Sequence, residues 1–435
     1  MNGRRTLWVI SGGIEARPVI ERARALGLRV VVSDGSATAP GLALADLPVV
    51  ANVYGPEETL DAARTLAARH GPPDGVICAA ADAPLTAAWL AGEFGLVGPS
   101  REAARLATDK LAMKRRLARD GVPVPWFRAL LDADELEAHR REEGVPLVVK
   151  PVDSRGARGV VRVAPGPSGV DARFAFETAH RNSPTGRVMV ERFLDGPQVS
   201  TESLVLGDRV ATPGLADRNY EALARFAPFV VEDGGQLPSA LAADAQRDVC
   251  DVVARAARSL GLESGVAKGD IVVHEGRAVV IEIAARLSGG YLCSHHIPLS
   301  TGVDFVGAAI RQALGERIDP DELAPRHARG VAQRFFFPRP GRVVAIRGAE
   351  EVARRADVAL LELRVAPGDE VGEVECHPAR AGLVITTAAT REEAVAAARA
   401  AIDGVAIEIE PTGPSVAGAA IGAAPRPARA NAARA

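Results

Sequence analysis

The sequence predicts an α/β protein of several domains, and three observations support this fold class. Strand and helix signals alternate over residues 6–98, a glycine-rich turn follows an apolar strand near residue 150, and two carboxylates interrupt an apolar hairpin within residues 269–286. The chain has 435 residues. That length exceeds what one hydrophobic core usually organises, so we expect roughly two to four domains.

Residues 6–98 have the alternation of strands and helices that is typical of a parallel sheet. "TLWVI" is typical of a strand, "EARPVIERARALG" of a helix and "LRVVVSD" of a second strand. This order predicts a sheet covered by helices on both faces. The turn "SGG" after the first strand lacks the GxGxxG spacing of a dinucleotide fingerprint, which argues against a Rossmann oxidoreductase.

Composition and charge narrow the function classes. The net charge is −3, so neither nucleic acid nor a membrane surface is an expected partner. The cysteines at positions 78, 250, 293 and 376 have no CxxC spacing; we therefore expect no zinc site, no disulfide framework and a cytoplasmic location. The Ala/Pro/Gly-rich residues 412–435 are predicted to be a disordered tail.

The segment "PLVVKPVDSRGARGVV" has the features of a phosphate site. Lys150 ends an apolar strand, and Ser154, Gly156 and Gly159 follow in a polar turn. A glycine-rich hairpin loop can lay its backbone N–H groups over phosphates, with the lysine charge beside them. The alternative is a surface hairpin with an outward lysine. The Val-Val and Pro neighbours of Lys150 favour the phosphate site.

The segment "RVMVERFLDGPQVS" is a candidate adenine site. Backbone at Arg192, Phe193 and Leu194 could hydrogen-bond the edge of the base, and Glu191 could accept from its exocyclic amine. Any strand–turn–strand segment looks similar, so this motif alone has little specificity.

The hairpin "GDIVVHEGRAVVIEIAAR" carries a carboxylate on each arm, Asp270 and Glu282. Two such carboxylates can bind a hard cation together with phosphate oxygens, which predicts a magnesium site, with Mn²⁺ as a substitute. Metal binding would explain an acid within the apolar run "VVIEIA". The alternative is a structural ion pair between Glu282 and Arg286.

Together these motifs resemble the ATP-grasp ligases, particularly the branch of biotin carboxylase, carbamoyl phosphate synthetase and the ATPase subunit of phosphoribosylaminoimidazole carboxylase. The resemblance covers about residues 5–410 and includes "SGGIEARP", "ATDKLAMKRRLARDGVPVP", "VERFLDG" and "IEIAARLSGG". It implies a pre-ATP-grasp Rossmann-like domain (1–100), an α+β ATP-grasp domain (101–325) with a mobile lid (about 121–193), and a small C-terminal α/β module (326–411).

The resemblance also implies roles for single residues. Lys110 and Lys150 would contact ATP phosphates, Glu191 would be the acid beside adenine, and Asp270 and Glu282 would bind magnesium. Arg286 would hold the acyl phosphate or its carboxylate precursor, a role that suits a guanidinium.

The chain departs from the family pattern at two positions. Ala284 stands where the family often has a metal-binding Asn, so one magnesium ligand is missing or supplied elsewhere. Gln198 stands where a ribose-binding Glu is common. Gln can still hydrogen-bond ribose hydroxyls, so we expect ATP binding to persist.

The segment after Arg286 is expected to shape the substrate pocket. It contains Ser288, Gly289 and Gly290, followed by adjacent His295 and His296. One histidine could bind the acceptor substrate or act as a general base. An ordinary polar loop is an equally open interpretation.

The sequence thus predicts an ATP-dependent carboxylate–amine ligase acting on small molecules through an acyl phosphate, and family members are often homodimers. One alternative is a bicarbonate-activating ATPase of the carboxylase type, but "EIAARLSGGYLCSHH" lacks the Glu-x-Asn-x-Arg and Gln-Val-Glu-His patterns of biotin carboxylase. Another is a nucleotide-binding protein without catalysis, for which Ala284 is the only support.

Overall fold

A computed structural model describes residues 4–166 and 169–411. The predicted tail at 412–435 lies outside these residues. Within them, no helix is both long and apolar enough to cross a bilayer.

The first domain is a parallel four-stranded sheet with strand order β3-β2-β1-β4. Its central strand is buried along its whole length, as the predicted two-sided covering by helices requires. The elements are β1 (Thr6–Ile10), α1 (Arg17–Ala25), β2 (Arg29–Asp34), β3 (Leu47–Val50), α2 (Pro56–His70), β4 (Gly75–Cys78) and α3 (Pro84–Phe94).

Two short helices connect this domain to the next: α4 (Arg101–Thr108) and α5 (Lys110–Arg119). The sequence of residues 101–120 predicts a helical stretch that ends at Gly121, but Asp109 is extended and interrupts it. The Asp109 side chain accepts from the Ala112 amide and caps α5. The interruption puts Lys110 at the first residue of α5.

The predicted lid region contains a separate antiparallel sheet with order β5-β8-β6-β7, covered by two helices. Its core includes Leu136, Leu147 and Val190, each with no exposed surface. The elements are β5 (Phe127–Leu130), α6 (Ala133–Glu143), β6 (Leu147–Pro151), β7 (Val161–Val163), α7 (Ala172–Arg181) and β8 (Val188–Arg192).

The remaining elements build a nine-stranded sheet, a three-stranded sheet and their covering helices. The predicted hairpin turns at Glu275-Gly276, as the sequence indicates. In chain order the elements are β9 (Gln198–Leu206), β10 (Arg209–Ala211), β11 (Leu215–Asn219), β12 (Gly234–Leu237), α8 (Ala243–Ser259), β13 (Ser264–His274), β14 (Arg277–Ala284), α9 (Ile297–Thr301), α10 (Phe305–Ala313), β15 (Gly330–Phe335), β16 (Gly341–Arg347), α11 (Ala349–Ala353), β17 (Val358–Leu363), β18 (Glu370–Val371), β19 (Gly382–Ala388), α12 (Arg391–Asp403) and β20 (Ala406–Glu410).

The large sheet crosses the predicted boundary at residue 325. Its path is β14-β13-β9-β11-β12-β15-β19-β17, with β10 paired to β9, and β15 pairs with β12 on one side and β19 on the other. Three C-terminal strands therefore continue the central sheet, while β18, β16 and β20 form the small one. The domain boundaries remain predictions, and residues 326–411 contribute strands both to the central sheet and to the small one.

Candidate active site

A cavity of about 680 Å³ lies where the first domain, the lid and the nine-stranded sheet meet. Sixteen of the eighteen predicted site residues line it, and only Gly159 and His295 do not. Those that line it are Lys110, Lys150, Ser154, Gly156, Glu191, Arg192, Phe193, Leu194, Gln198, Asp270, Glu282, Arg286, Ser288, Gly289, Gly290 and His296.

A buried charge cluster connects the lid to α5. Lys150 on β6 lies 2.5 Å from one Glu191 oxygen, and Lys114, which the sequence analysis did not single out, lies 2.9 Å from the other. Burial opposes ionisation of Glu191, but the two ammonium groups outweigh it and lower its pKa. Both oxygens of the Glu191 carboxylate therefore already interact with lysines. The predicted contact with an adenine amine would require one of these oxygens to interact with the amine as well.

The backbone predicted for the adenine edge is partly occupied. The Arg192 amide donates to the Trp126 carbonyl, and the Phe193 amide donates to that of Pro146. Within the described chain, the Leu194 amide makes no hydrogen bond. Leu194 is thus the member of the three whose N–H is available to a base.

Lys110 joins the glycine loop to the hairpin. Its ammonium group donates to the Ser154 carbonyl at 2.6 Å and lies 3.3 Å from Glu282. Burial lowers the pKa of Lys110, but the Glu282 and Asp82 carboxylates outweigh burial and raise it overall. A charged lysine consequently stands between the two predicted phosphate-contacting elements.

Gly156 and Gly159 both have positive φ angles, +62° and +69°. A Cβ atom at Gly159 would lie 2.7 Å from Asn182 Cβ on the adjoining segment. Gly159 therefore packs against the lid core and does not line the cavity, and its phosphate role remains a prediction. Gly156 lies in the cavity wall, where its carbonyl accepts from the His377 amide at 3.0 Å.

Asp270 and Glu282 occupy opposing positions on β13 and β14. Asp270 accepts from Ser200 Oγ at 2.7 Å and lies beside Arg218 and Lys268. These two cations outweigh burial and hold the pKa of Asp270 far below its usual range. The Lys110 ammonium group lowers the pKa of Glu282 to a smaller extent. Both acids are therefore ionised at neutral pH.

The pair fits a magnesium ion of the kind that binds with phosphates. No group of three potential metal ligands occurs among the residues described, and Ala284 offers no donor. Magnesium is commonly held by one or two carboxylates together with substrate phosphates and water. Asp270 and Glu282 would hold it here, and when bound it would neutralise charge on phosphate oxygens.

Arg286 does not form the alternative ion pair with Glu282. Its Nε lies 3.8 Å from Asp82, a residue that the sequence analysis missed. Asp82 Oδ1 and Arg286 Nε are both buried, and neither has a hydrogen-bond partner among the described residues. Burial raises the pKa of Asp82. A carboxyl and a guanidinium thus stand side by side in the cavity wall with unused hydrogen-bonding atoms.

Strand pairing explains why these two residues meet. Leu287 forms a parallel bridge with Ala79, directly after β4: the Leu287 amide donates to the Cys78 carbonyl and the Ala80 amide donates to the Leu287 carbonyl, both at 3.1 Å. Ligands of parallel sheets bind at the carboxyl ends of strands. Asp82 follows the apolar strand "GVIC", so this rule could have found it in the sequence.

Two carboxylates, buried Glu202 and half-buried Glu15, fix the loop after Arg286. The Ser288 amide donates to Glu202 at 3.0 Å, and the Gly290 amide donates to Glu15 at 2.8 Å. Burial raises the pKa of Glu202 to about 7. Glu15 is held in turn by Arg364 at 2.6 Å. The loop therefore takes its shape from residues distant in the chain.

The two histidines have different environments. His296 is buried in the cavity wall, and within residues 4–166 and 169–411 neither of its ring nitrogens has a hydrogen-bond partner. Burial lowers the pKa of His296 to about 3, so it is neutral. His295 lies outside the cavity lining, where its Nδ1 is 3.0 Å from Ser294 Oγ and its ring meets Tyr291 edge-on. His295 is therefore not placed to contact a ligand in this cavity.

Two known domain families match the chain. The ATP-grasp domain matches residues 107–290, and the L-amino acid ligase C-terminal domain 2 matches residues 334–410. The chain belongs to the ATP-grasp family, and it is a ligase of the ADP-forming kind. Within this family it groups with the carboxylate–amine ligases, the class that the sequence predicts.

Individual proteins are similar to this chain in sequence or in fold. The chain is 30% identical to uncharacterized protein y4rH of Sinorhizobium fredii over 346 residues, which are 78% of this chain and 68% of that protein. It is 32% identical to a D-alanine–D-alanine ligase of Desulforudis audaxviator over 189 residues, 42% of this chain and 59% of the relative. The crystal structure of an L-amino acid ligase from Bacillus licheniformis has the same fold, with a TM-score of 0.78, 24% identity and coverage of 94% of this chain and 100% of that one.

Proposed function

We propose that the protein is an ATP-dependent amide ligase whose acid substrate is an amino acid. One observation carries this proposal: Asp82 and Arg286 lie 3.8 Å apart in the cavity, and each has a buried polar atom to which no described residue hydrogen-bonds. An amino acid presents a carboxylate and an ammonium group a short distance apart. A guanidinium beside a carboxyl complements that arrangement.

The proposed reaction has two steps. A carboxylate oxygen of the acid attacks the γ-phosphorus of ATP, and the bond between this phosphorus and the bridging oxygen breaks. ADP departs, and an acyl phosphate is formed. The nitrogen of an amine then attacks the acyl carbon, the C–O bond to phosphate breaks, and an amide forms while the proton of the amine passes to the departing phosphate or to water. Magnesium and ATP are the co-reactants that this scheme requires.

Residues of this chain have distinct duties in the scheme. Lys110 and Lys150 provide positive charge at the glycine loop, where phosphates would bind. Arg286 orients the reacting carboxylate with its fork of N–H donors. The lid excludes water from the acyl phosphate. His296 is too weak a base to take the proton from the amine, because its pKa is about 3.

The first experiment measures ADP release from Mg-ATP with pooled amino acids, with and without hydroxylamine. We expect acid-dependent ADP release together with a hydroxamate, which forms when hydroxylamine traps an acyl phosphate. ADP release with bicarbonate alone would replace the proposal with carboxyphosphate formation. ATP binding without any ADP release would favour the non-catalytic alternative.

Matched variants make the experiment specific to the cavity. Arg286→Gln removes the guanidinium beside Asp82, whereas Arg342→Gln removes an exposed arginine on β16. We expect hydroxamate formation to fall about a hundredfold or more in the first variant and to stay within about twofold of wild type in the second, since exposed substitutions rarely matter. Equal hydroxamate formation in the wild-type protein and in both variants would show that Arg286 has no role in the reaction.

A further inference from the structure

His296 brings an unused hydrogen-bond donor and an unused acceptor to the cavity wall. The residue lines the cavity, and only 3% of its surface is exposed. Among the described residues, no group hydrogen-bonds to its Nδ1 or its Nε2. A neutral imidazole has one N–H donor and one acceptor nitrogen, and burial of both without partners is unfavourable. The two nitrogens are therefore candidate contacts for a molecule bound in the cavity.

Local hydrogen bonds connect His296 to the site of the reacting acid. The Cys293 amide donates to Ser288 Oγ at 3.2 Å, and the Cys293 thiol donates to the Ser288 carbonyl at 3.5 Å. The helical turn that ends at His296 is thus folded back onto Ser288, two residues after Arg286. The intervening residue forms the strand bridge that brings Asp82 to Arg286. His296 therefore belongs to the same wall as the Asp82–Arg286 pair.

The surroundings of His296 are uncharged. Burial, with a smaller effect of neighbouring His295, lowers its pKa, and no aspartate, glutamate, lysine or arginine of the described chain contributes to the shift. Leu292, one turn earlier, and Ala216 on β11 belong to one apolar cluster, and both line the cavity. A charged ligand group placed here would lose water without gaining an ion pair. This part of the cavity therefore suits an uncharged group.

We propose that His296 binds the side chain of the acid substrate, and that this side chain carries a hydroxyl or a carboxamide. The carboxylate and the ammonium group of this substrate have candidate partners in Arg286 and Asp82, so the side chain is the part left to reach His296. Hydroxyl and carboxamide groups both donate and accept, which matches the two nitrogens of a neutral imidazole. This inference rests on the proposed function and names the class of its acid substrate.

The test identifies which amino acids the protein activates. Wild-type protein is incubated with Mg-ATP, hydroxylamine and an equimolar pool of the standard L-amino acids, and mass spectrometry quantifies each amino-acid hydroxamate above a background without ATP. Hydroxylamine takes the place of the amine substrate, so the result is independent of the identity of that amine. The informative comparisons are between acids of similar shape: threonine with valine, asparagine with leucine, and glutamine with methionine. We expect the polar member of at least one pair to exceed its apolar partner by about tenfold or more.

Variants assign this preference to the imidazole. His296→Leu removes both hydrogen-bonding nitrogens, and we expect the ratio of polar to apolar hydroxamate to fall by about tenfold or more. His296→Gln keeps a donor and an acceptor, so we expect it to retain part of the preference. His295→Leu is the matched control, because this neighbouring histidine lies outside the cavity lining; its ratio should stay within about twofold of wild type. A ratio of products is insensitive to the fraction of folded protein, and an unchanged ratio in His296→Leu would overturn the inference.

Failure of this inference is distinguishable from failure of the proposed function. Wild-type protein that forms hydroxamates mainly from apolar or charged amino acids would overturn the role of His296 and leave the proposed function in place. Wild-type protein that releases no ADP and forms no hydroxamate from any amino acid would overturn both.

Discussion

Asp270 and Glu282 face each other directly across the β13–β14 hairpin, and both side chains line the same cavity. Two adjacent carboxylates repel each other unless cations neutralise them. Lys268 and Arg218 lie beside Asp270, and Lys110 lies beside Glu282. The negative charges of the two hairpin carboxylates are thus balanced by neighbouring cations. The pair can bind a divalent cation when phosphates bring further negative charge.

Glu282→Gln should abolish ADP release and keep the fold. The change removes one of two candidate magnesium ligands while preserving side-chain shape, so we expect turnover to fall by about a hundredfold or more. Steady-state ADP release at several magnesium concentrations measures the effect. Glu263→Gln, at an exposed position, is the matched control. Unchanged turnover in a folded Glu282→Gln protein would refute the metal assignment.

Lys150→Met should weaken ATP binding and destabilise the lid. Lys150 and Glu191 are both buried, so removing the lysine leaves Glu191 with Lys114 alone. Breaking a buried ion pair costs about 3–5 kcal/mol, and we expect a loss near the lower end because Lys114 remains. Urea unfolding and the KM for ATP report the two effects separately. A variant with wild-type values of both would show that the cluster is dispensable.

Asp82→Asn should reduce the preference for amino acids over simple carboxylic acids. If the Asp82 carboxylate binds the ammonium group of the acid substrate, the variant loses that contact while Arg286 still holds the carboxylate. We expect the ratio of kcat/KM for an amino acid to that for its des-amino analogue to fall about tenfold or more. Hydroxamate formation measures both substrates. A constant ratio would separate Asp82 from substrate recognition.

Stability should depend on pH through Glu202. Burial raises its pKa from 4.5 to about 7, so the folded state binds more protons than the unfolded state between these values. The free energy of unfolding therefore falls as pH rises through this window. Glu202→Gln removes the effect, and we expect the variant to gain roughly 2–3 kcal/mol on wild type between pH 5 and pH 8. Urea unfolding at both values tests this, with Glu263→Gln as control; a parallel pH dependence in all three proteins would contradict it.

Gly159→Ala should destabilise the lid more than Gly144→Ala. Both glycines have positive φ angles, +69° and +60°, but only at Gly159 would a Cβ meet a neighbour, Asn182 Cβ at 2.7 Å. The shared backbone strain cancels in the comparison, and the clash adds about 1–3 kcal/mol. Thermal unfolding of both variants checks the difference. Equal losses would mean that α7 moves aside at little cost.

The sequence predicts the local features of this protein well. The strand "TLWVI", the hairpin turn at Glu275-Gly276 and the cavity positions of Lys150 and Glu282 agree with the structure, since each depends on residues close together in the chain. The ATP-grasp family and the α/β fold class are confirmed by the comparisons.

The features that the sequence analysis missed depend on contacts between distant segments. Asp82 meets Arg286 through a bridge across roughly two hundred residues. Arg380 lies two residues before β19 and lines the cavity because β15 and β19 continue the central sheet. No local sequence pattern predicts that strand pairing. The position of Gly159 outside the cavity lining could not be predicted, because a glycine that relieves a packing clash looks the same in sequence as one that approaches a phosphate.

The continuous sheet has a consequence for exchanging parts between relatives. A crossover at residue 326 would join β12 of one parent to β15 of another inside a single hydrogen-bonded layer. The residues that pack together on the two sides of the β12–β15 strand pair would then come from two different sequences. A crossover on either side of residues 127–192 exchanges a complete sheet with its own two helices. Recombination libraries should therefore tolerate foreign lids far more often than foreign C-terminal segments.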